Sequence, residues 1–230
     1  MNMPDKTKRL HEKAVQLKDA FLDLLYPPKC AFCHGLLAEK GVLVCPACLE
    51  NLPYTVSGEA VQHFGNVSAC VSPLYYDGHV RDSLLRYKFH GVTSYAPVYA
   101  EMIAAALERE GFEFDVITWV PVSRKRLRTR GYDQARLIAE ELAAITGVPC
   151  AQMLVKIKNN AVQSKTGGYE KRKKNVAGVY AFKGGDIAGK TVLLADDIVT
   201  TGSTMSEAAG VLLSAGAAGV YGAAAARKRN

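Results

Sequence analysis

The stretch Val192-Leu-Leu-Ala-Asp-Asp-Ile-Val-Thr-Thr-Gly-Ser-Thr204 constrains this chain more than any other. Four small or apolar residues, Val192 to Ala195, predict a buried parallel strand. Asp196 and Asp197 stand where that strand is expected to end. Thr200-Thr-Gly-Ser-Thr204 then predicts a tight turn into a helix. Such a turn aims successive backbone N–H groups, hydroxyls and a helix N-terminus at one spot, which suits a phosphate dianion. Two carboxylates beside an anion cradle conflict unless the ligand also offers hydroxyl donors. A sugar phosphate satisfies both, with its hydroxyls on the acids and its phosphate in the turn.

The charge balance agrees with an anionic ligand. The 230-residue chain carries a formal net charge of +7, and the excess is clustered. Arg124, Lys125, Arg126, Arg128, Arg130 and Arg136 face a single acid, Asp133. Lys165, Lys171, Arg172, Lys173 and Lys174 face only Glu170. Both runs are read as loops that follow strands, so both can converge on one end of a sheet. A basic surface of this kind fits a phosphorylated small molecule, nucleic acid, or both.

Four of the six cysteines are paired, as Cys30-x-x-Cys33 and Cys45-x-x-Cys48, with eleven residues between the pairs. Each pair has the spacing of a knuckle that brings two thiolates to one tetrahedral ion. Redox-active thiols are the competing reading, but the thioredoxin-like strand-and-helix context of such a pair is missing. The expectation is a closed, structural zinc site with four sulfur ligands. His34 is read as a bystander, and Cys70 and Cys150 as core residues.

Along the chain, residues 1–28 hold a helix whose apolar stripe (Leu10, Ala14, Leu17, Phe21, Leu24) recurs at helical spacing before Pro27-Pro28. Residues 29–54 form the cysteine module and 55–68 a connector. From 69 to 230 the pattern is α/β. Strands are expected at Ala69–Tyr76, Asp115–Val122, Val148–Val155, Gly178–Phe182, Thr191–Ala195 and Gly219–Ala226. Helices are expected at Val80–Phe89, Ser94–Arg109, Gln134–Thr146 and Ser203–Ala215. The alternation implies a mostly parallel sheet flanked by helices, with ligands at the carboxyl ends of the strands. No run of about 18 apolar residues exists to span a membrane, and Met1 to Leu10 lacks a signal-peptide apolar region. The expectation is a cytoplasmic protein.

The segment Asp196–Thr204 resembles the 5-phosphoribosyl-1-pyrophosphate (PRPP) motif of type I phosphoribosyltransferases. Three further segments sharpen the resemblance: Tyr76-Asp77-Gly78 with Leu84-Leu-Arg-Tyr-Lys-Phe-His-Gly91; Val120-Pro-Val122 with Arg126-Leu-Arg-Thr-Arg-Gly-Tyr-Asp-Gln134; and Gln163-Ser164 with Arg172 and Asn175-Val176. With Pro27-Pro-Lys-Cys30 and the four-cysteine module, their order resembles the ComF family of competence proteins over nearly the whole chain. The sequence departs from that family at Asp133, where an Asn is usual, at Trp119 and at Ala195.

The resemblance implies a type I phosphoribosyltransferase-like domain behind a zinc-ribbon-like module, and an association with DNA uptake in natural transformation. It implies a pentosyl transferase that moves phosphoribosyl from PRPP, with Mg²⁺, to an acceptor the sequence does not identify. Asp196 and Asp197 would be the catalytic acids on the ribose hydroxyls. Thr200, Thr201, Gly202, Ser203 and Thr204 would hold the 5-phosphate. Arg124, Arg126, Arg128 and Arg130 would meet the pyrophosphate, and Lys165 or Arg172 would close over it from a hood loop. Lys88 is a weaker basic candidate. The alternative is a non-catalytic PRPP sensor or a single-stranded DNA-binding protein, with DNA or competence-machinery proteins as partners.

Overall fold

The computed structural model describes residues 27–39, 41–56, 58–158 and 178–229. They belong to two units, Met1–Asn51 and Leu52–Asn230. The helix expected before Pro27 and the loop bearing Lys165 and Arg172 lie outside the described residues. Among those described, no helix is long and apolar enough to cross a membrane.

In the first unit, Cys30 to Gly35 forms a tight knuckle. The Cys30 N–H donates to the Gly35 carbonyl (2.8 Å), and the His34 N–H donates back to Cys30 (3.0 Å). His34 takes a left-handed backbone, φ 63°. The second pair opens a short helix, α1 (Pro46–Asn51). Proline at its first position suits a helix start, where its missing N–H costs nothing.

The second unit is built on one sheet in the order β1-β2-β8-β7-β4, with β3 also pairing with β8. Its strands are β1 (Val61–Phe64), β2 (Val67–Val71), β3 (Leu74–Tyr75), β4 (Val116–Trp119), β7 (Thr191–Val199) and β8 (Gly219–Arg227). Only the edge pair β1–β2 is antiparallel; β2, β3, β7 and β4 all join parallel ladders. The helices are α2 (Gly78–Phe89), α3 (Ala96–Arg109), α4 (Arg124–Arg130), α5 (Gln134–Thr146) and α6 (Ser203–Ser214). A separate antiparallel ribbon joins β5 (Leu154–Lys156) to β6 (Tyr180–Phe182).

Burial follows the sequence pattern. Val192, Leu193, Leu194 and Ala195 are fully inaccessible, as a strand covered on both faces requires. β8 beside it has Gly or Ala at six of its nine positions, and at Gly222 close packing explains why. A Cβ on Gly222 would lie 2.5 Å from Met205 Sδ and 2.9 Å from Cys70 Sγ. α5 forms where expected because its ends are specified. Asp133 accepts from the Arg136 N–H at 3.4 Å, and Gly147 closes the helix in the left-handed region.

Four expectations need correction. β7 does not stop at Ala195 but runs through both acids to Val199, because β8 continues to pair with it as far as Arg227. Residues 124–130 form helix α4, not a loop: Ser123 caps its start by accepting from the Arg126 N–H (3.3 Å), and Gly131 ends it at φ 82°. Residues 55–68 contain a β-hairpin arm rather than a plain connector. The strand expected over Val148–Val155 reduces to one bridge, Ile117 to Cys150, and the start of β5.

Candidate functional site

β7 outruns its neighbour on one side. Its ladder with β4 ends at the Trp119–Ala195 pair, and the Val120 N–H then donates to the Ala195 carbonyl at 2.9 Å. β4 turns away through Pro121 and Val122 while β7 continues, so the next two β7 residues line an opening. A cleft of about 450 Å³ lies there, at the carboxyl ends of the strands. Asp196, Asp197, Thr200 and Thr204 line one part of it; Arg126, Arg130, Lys88 and Lys156 supply its cations.

Adjacent strand residues project to opposite sides, and the two acids meet different surroundings. Asp197 receives Lys88 Nζ at 3.0 Å from the C-terminal turn of α2. Asp196 is nearer the ribbon side, where its charge acts on Lys156 and Tyr180. The Asp197 N–H donates to Asp196 Oδ1 (2.8 Å), which ties the pair together. Burial pushes the Asp196 carboxyl well above its ordinary range; the charge of Asp197 adds to the rise, and Lys88 opposes it.

The turn after β7 is held by its own side chains. Thr201 and Ser203 hydroxyls lie 2.9 Å apart. Gly202 stands at the helix N-cap position with φ 71° and offers no side-chain cap to the first turn of α6. The β1–β2 arm supports this corner from outside. The Asn66 N–H donates to Ser206 Oγ at 3.0 Å, and the Asn66 amide donates to the Ser206 carbonyl at 3.1 Å.

The basic helix α4 divides by face. Arg126 and Arg130 line the cleft, whereas Arg124 and Arg128 are exposed and are not among its lining residues. Arg130 donates to Gln134 Oε1 (3.1 Å) and stacks 4.7 Å over the Phe89 ring. Asp133 is a fixture of this wall: its second oxygen accepts from the Val122 N–H at 3.0 Å, which binds the turn after β4 to α5. Burial raises its carboxyl. Tyr132 packs here too, its hydroxyl donating to the Tyr87 carbonyl.

Sequence reasoning ranked Lys88 low and missed Lys156, Tyr180 and Gln134. Lys156 Nζ lies 5.2 Å from the Tyr180 ring centre, and burial followed by the charge of Arg126 lowers its pKa. Only the placement of Lys156 at the end of an apolar strand could have flagged it.

In the first unit, the four sulfurs of Cys30, Cys33, Cys45 and Cys48 lie within 4.8 Å of one another. Backbone N–H groups already point at two of them: Cys45 to Cys30 Sγ and Gly35 to Cys33 Sγ, both 3.4 Å. Burial alone would raise the Cys30 thiol, but N–H donors, Cys45 first, outweigh it and bring it down to about 6. Four converging sulfurs with N–H···S support fit a closed tetrahedral zinc site with a structural role.

Comparison with known proteins agrees with both units. Residues 128–230 match the phosphoribosyl transferase domain and residues 21–71 the double zinc ribbon domain. The chain is 29% identical to competence protein ComFC of Bacillus subtilis over 147 residues, 62% of this chain and 57% of that protein. It is also 29% identical to DNA utilization protein YhgH of Salmonella typhimurium over 197 residues, 84% of this chain and 80% of that one. Among solved structures, it is similar to a B. subtilis glutamine PRPP amidotransferase complexed with ADP and GMP. There the identity is 23% over 60% of this chain and 30% of that one, with a TM-score of 0.41. Fold and cysteine cluster therefore define a type I phosphoribosyltransferase-like α/β domain preceded by a zinc-ribbon module. Over most of its length the chain is similar to these competence and DNA utilization proteins, which form the ComF family.

Proposed function

We propose that the cleft binds PRPP together with Mg²⁺ and transfers its phosphoribosyl group to an acceptor nucleophile. The observation that carries this reading is the convergence of an acid pair, an uncapped glycine-hinged turn and four cations on one 450 Å³ cleft. Asp196 and Asp197 would accept from the ribose 2′- and 3′-hydroxyls. Thr200 to Thr204 would take the 5-phosphate through hydroxyls and the first N–H groups of α6. Arg126 and Arg130, which line the cleft, are better supported as pyrophosphate ligands than Arg124 and Arg128. Lys165 and Arg172 remain candidates for closing over the pyrophosphate.

Transfer breaks the bond from the anomeric carbon to pyrophosphate, which leaves with the electron pair. Positive charge then develops on the ribose ring, and nearby carboxylates stabilise it. The cysteine quartet is the cluster of three or more metal-type ligands among the described residues. Magnesium would arrive on the substrate phosphates and take its remaining ligands from them and from water. Magnesium would supply charge neutralisation at the leaving pyrophosphate. The similarity to proteins of competence and DNA utilization supports a role in handling incoming DNA. Calorimetric titration of the zinc-loaded chain with PRPP and Mg²⁺, followed by a pyrophosphate-release assay against candidate bases, tests the proposal. Absence of PRPP binding would refute it, and binding without release would reduce it to a sensor.

A further inference from the structure

Lys88 lies outside the segment matched to the phosphoribosyl transferase domain, which begins at residue 128. It nevertheless reaches the centre of the cleft. Its side chain is 22% exposed and that of Asp197 11%, so their 3.0 Å contact is largely withheld from solvent screening. Three hydrogen bonds fix the backbone that carries it. Tyr132 donates to the Tyr87 carbonyl, Gln134 Nε2 donates to the Lys88 carbonyl (3.3 Å), and the Tyr87 hydroxyl donates to the Gln134 carbonyl (2.8 Å). The C-terminal turn of α2 is thus bolted to the start of α5. Of the other cleft cations, Arg130 is turned to Gln134 and Phe89 and Lys156 lies against Tyr180. Among the described residues, Lys88 is the ion-pair partner of Asp197.

An adjacent pair of carboxylates at a strand end is an obvious place for a divalent cation. A lysine bound to one of them changes that. Its ammonium is a compact point charge with three donors, so one can stay on Asp197 while the others face the cleft. We propose that Lys88 is the resident cation of the acid pair, a positioning residue that keeps divalent ions off Asp197 and presents its carboxylate to a ribose hydroxyl. Metal entering the site is then confined to the pyrophosphate side. This inference rests on the reading of the cleft as a PRPP site, and it adds a device that the phosphate turn and acid pair do not contain.

The test uses the full zinc-loaded chain as wild type, Lys88→Arg and Lys88→Met, with melting temperatures to confirm folding. Lys88→Gln replaces Lys88→Met if the latter does not fold. Mn²⁺ alone, followed by water-proton relaxation, should bind Lys88→Met about tenfold more tightly than wild type. Adding Asp197→Asn should abolish that gain. PRPP affinity should fall about tenfold or more in Lys88→Met and stay within about threefold of wild type in Lys88→Arg. Unchanged Mn²⁺ affinity, or unchanged PRPP affinity, in Lys88→Met overturns the proposal. A wild type that binds no PRPP, with the Mn²⁺ gain intact, refutes the PRPP reading and leaves the resident-cation role standing.

Discussion

The Phe64 ring occupies the space that a side chain at Gly202 would need. A Cβ built on Gly202 would lie 2.4 Å from a ring carbon of Phe64, on a backbone already at φ 71°. The edge hairpin therefore holds the turn after β7 in its left-handed form by contact as well as by sequence.

Gly202→Ala should destabilise the protein by about 2 kcal/mol or more, since both the backbone and the ring resist it. Urea unfolding gives the stability and calorimetry the PRPP affinity. We expect both to fall, and Phe64→Ala in the same chain to restore part of the stability.

Asp196→Asn combined with Asp197→Asn should weaken PRPP binding by about a hundredfold or more while leaving the circular dichroism spectrum unchanged. Equal affinity for wild type and double variant would remove both acids from the site.

Asp133 separates cap from charge. Asp133→Ala removes an acceptor for the Val122 and Arg136 N–H groups and should cost about 2 kcal/mol. Asp133→Asn removes the buried charge but keeps only one acceptor oxygen and sets its amide NH2 against the other N–H, so its stability should fall between wild type and Asp133→Ala at neutral pH. Denaturant midpoints distinguish the two.

The raised carboxyl of Asp196 makes a prediction about pH. Unfolded, it titrates near the ordinary aspartate value of about 4; folded, burial and then Asp197 push it higher. A group that holds its proton more tightly when folded adds stability below the unfolded value, and that contribution disappears as pH rises through the folded one. Asp196→Asn should match or trail wild type near about pH 4 and gain on it as pH increases. Unfolding curves across that range that run parallel would remove Asp196 as the source.

One zinc per chain is expected from elemental analysis of protein purified under reducing conditions. Cys30→Ser with Cys48→Ser should abolish it and unfold the first unit, because so small a module draws its folding free energy from the metal.

The central elements were legible because local and tertiary signals coincide there. In α5, Asp133 and Gly147 mark the ends of a continuous apolar stripe, and the observed helix spans the expected residues. The Val192–Ala195 run announces its own burial. α4 is not legible as a helix because its seven residues include five cations and no apolar stripe, although Ser123 and Gly131 bracket it as caps. The β1–β2 arm was missed because Phe64-Gly65-Asn66 gets its reason for folding from α6, about 140 residues away. Lys88 ranked low for a similar cause: its partner is distant in sequence, and only the bolting of α2 to α5 brings it into line.

Gly222 shows how little slack the middle of β8 has. Met205, whose sulfur fills the space above it, is the third residue of α6 and so belongs to the first turn after the Thr200–Gly202 corner. Enlarging that glycine by a single methyl group would push on Met205 from below. The first turn of α6, which leads away from the oxygen-lined corner, is thus seated from inside the protein against β8.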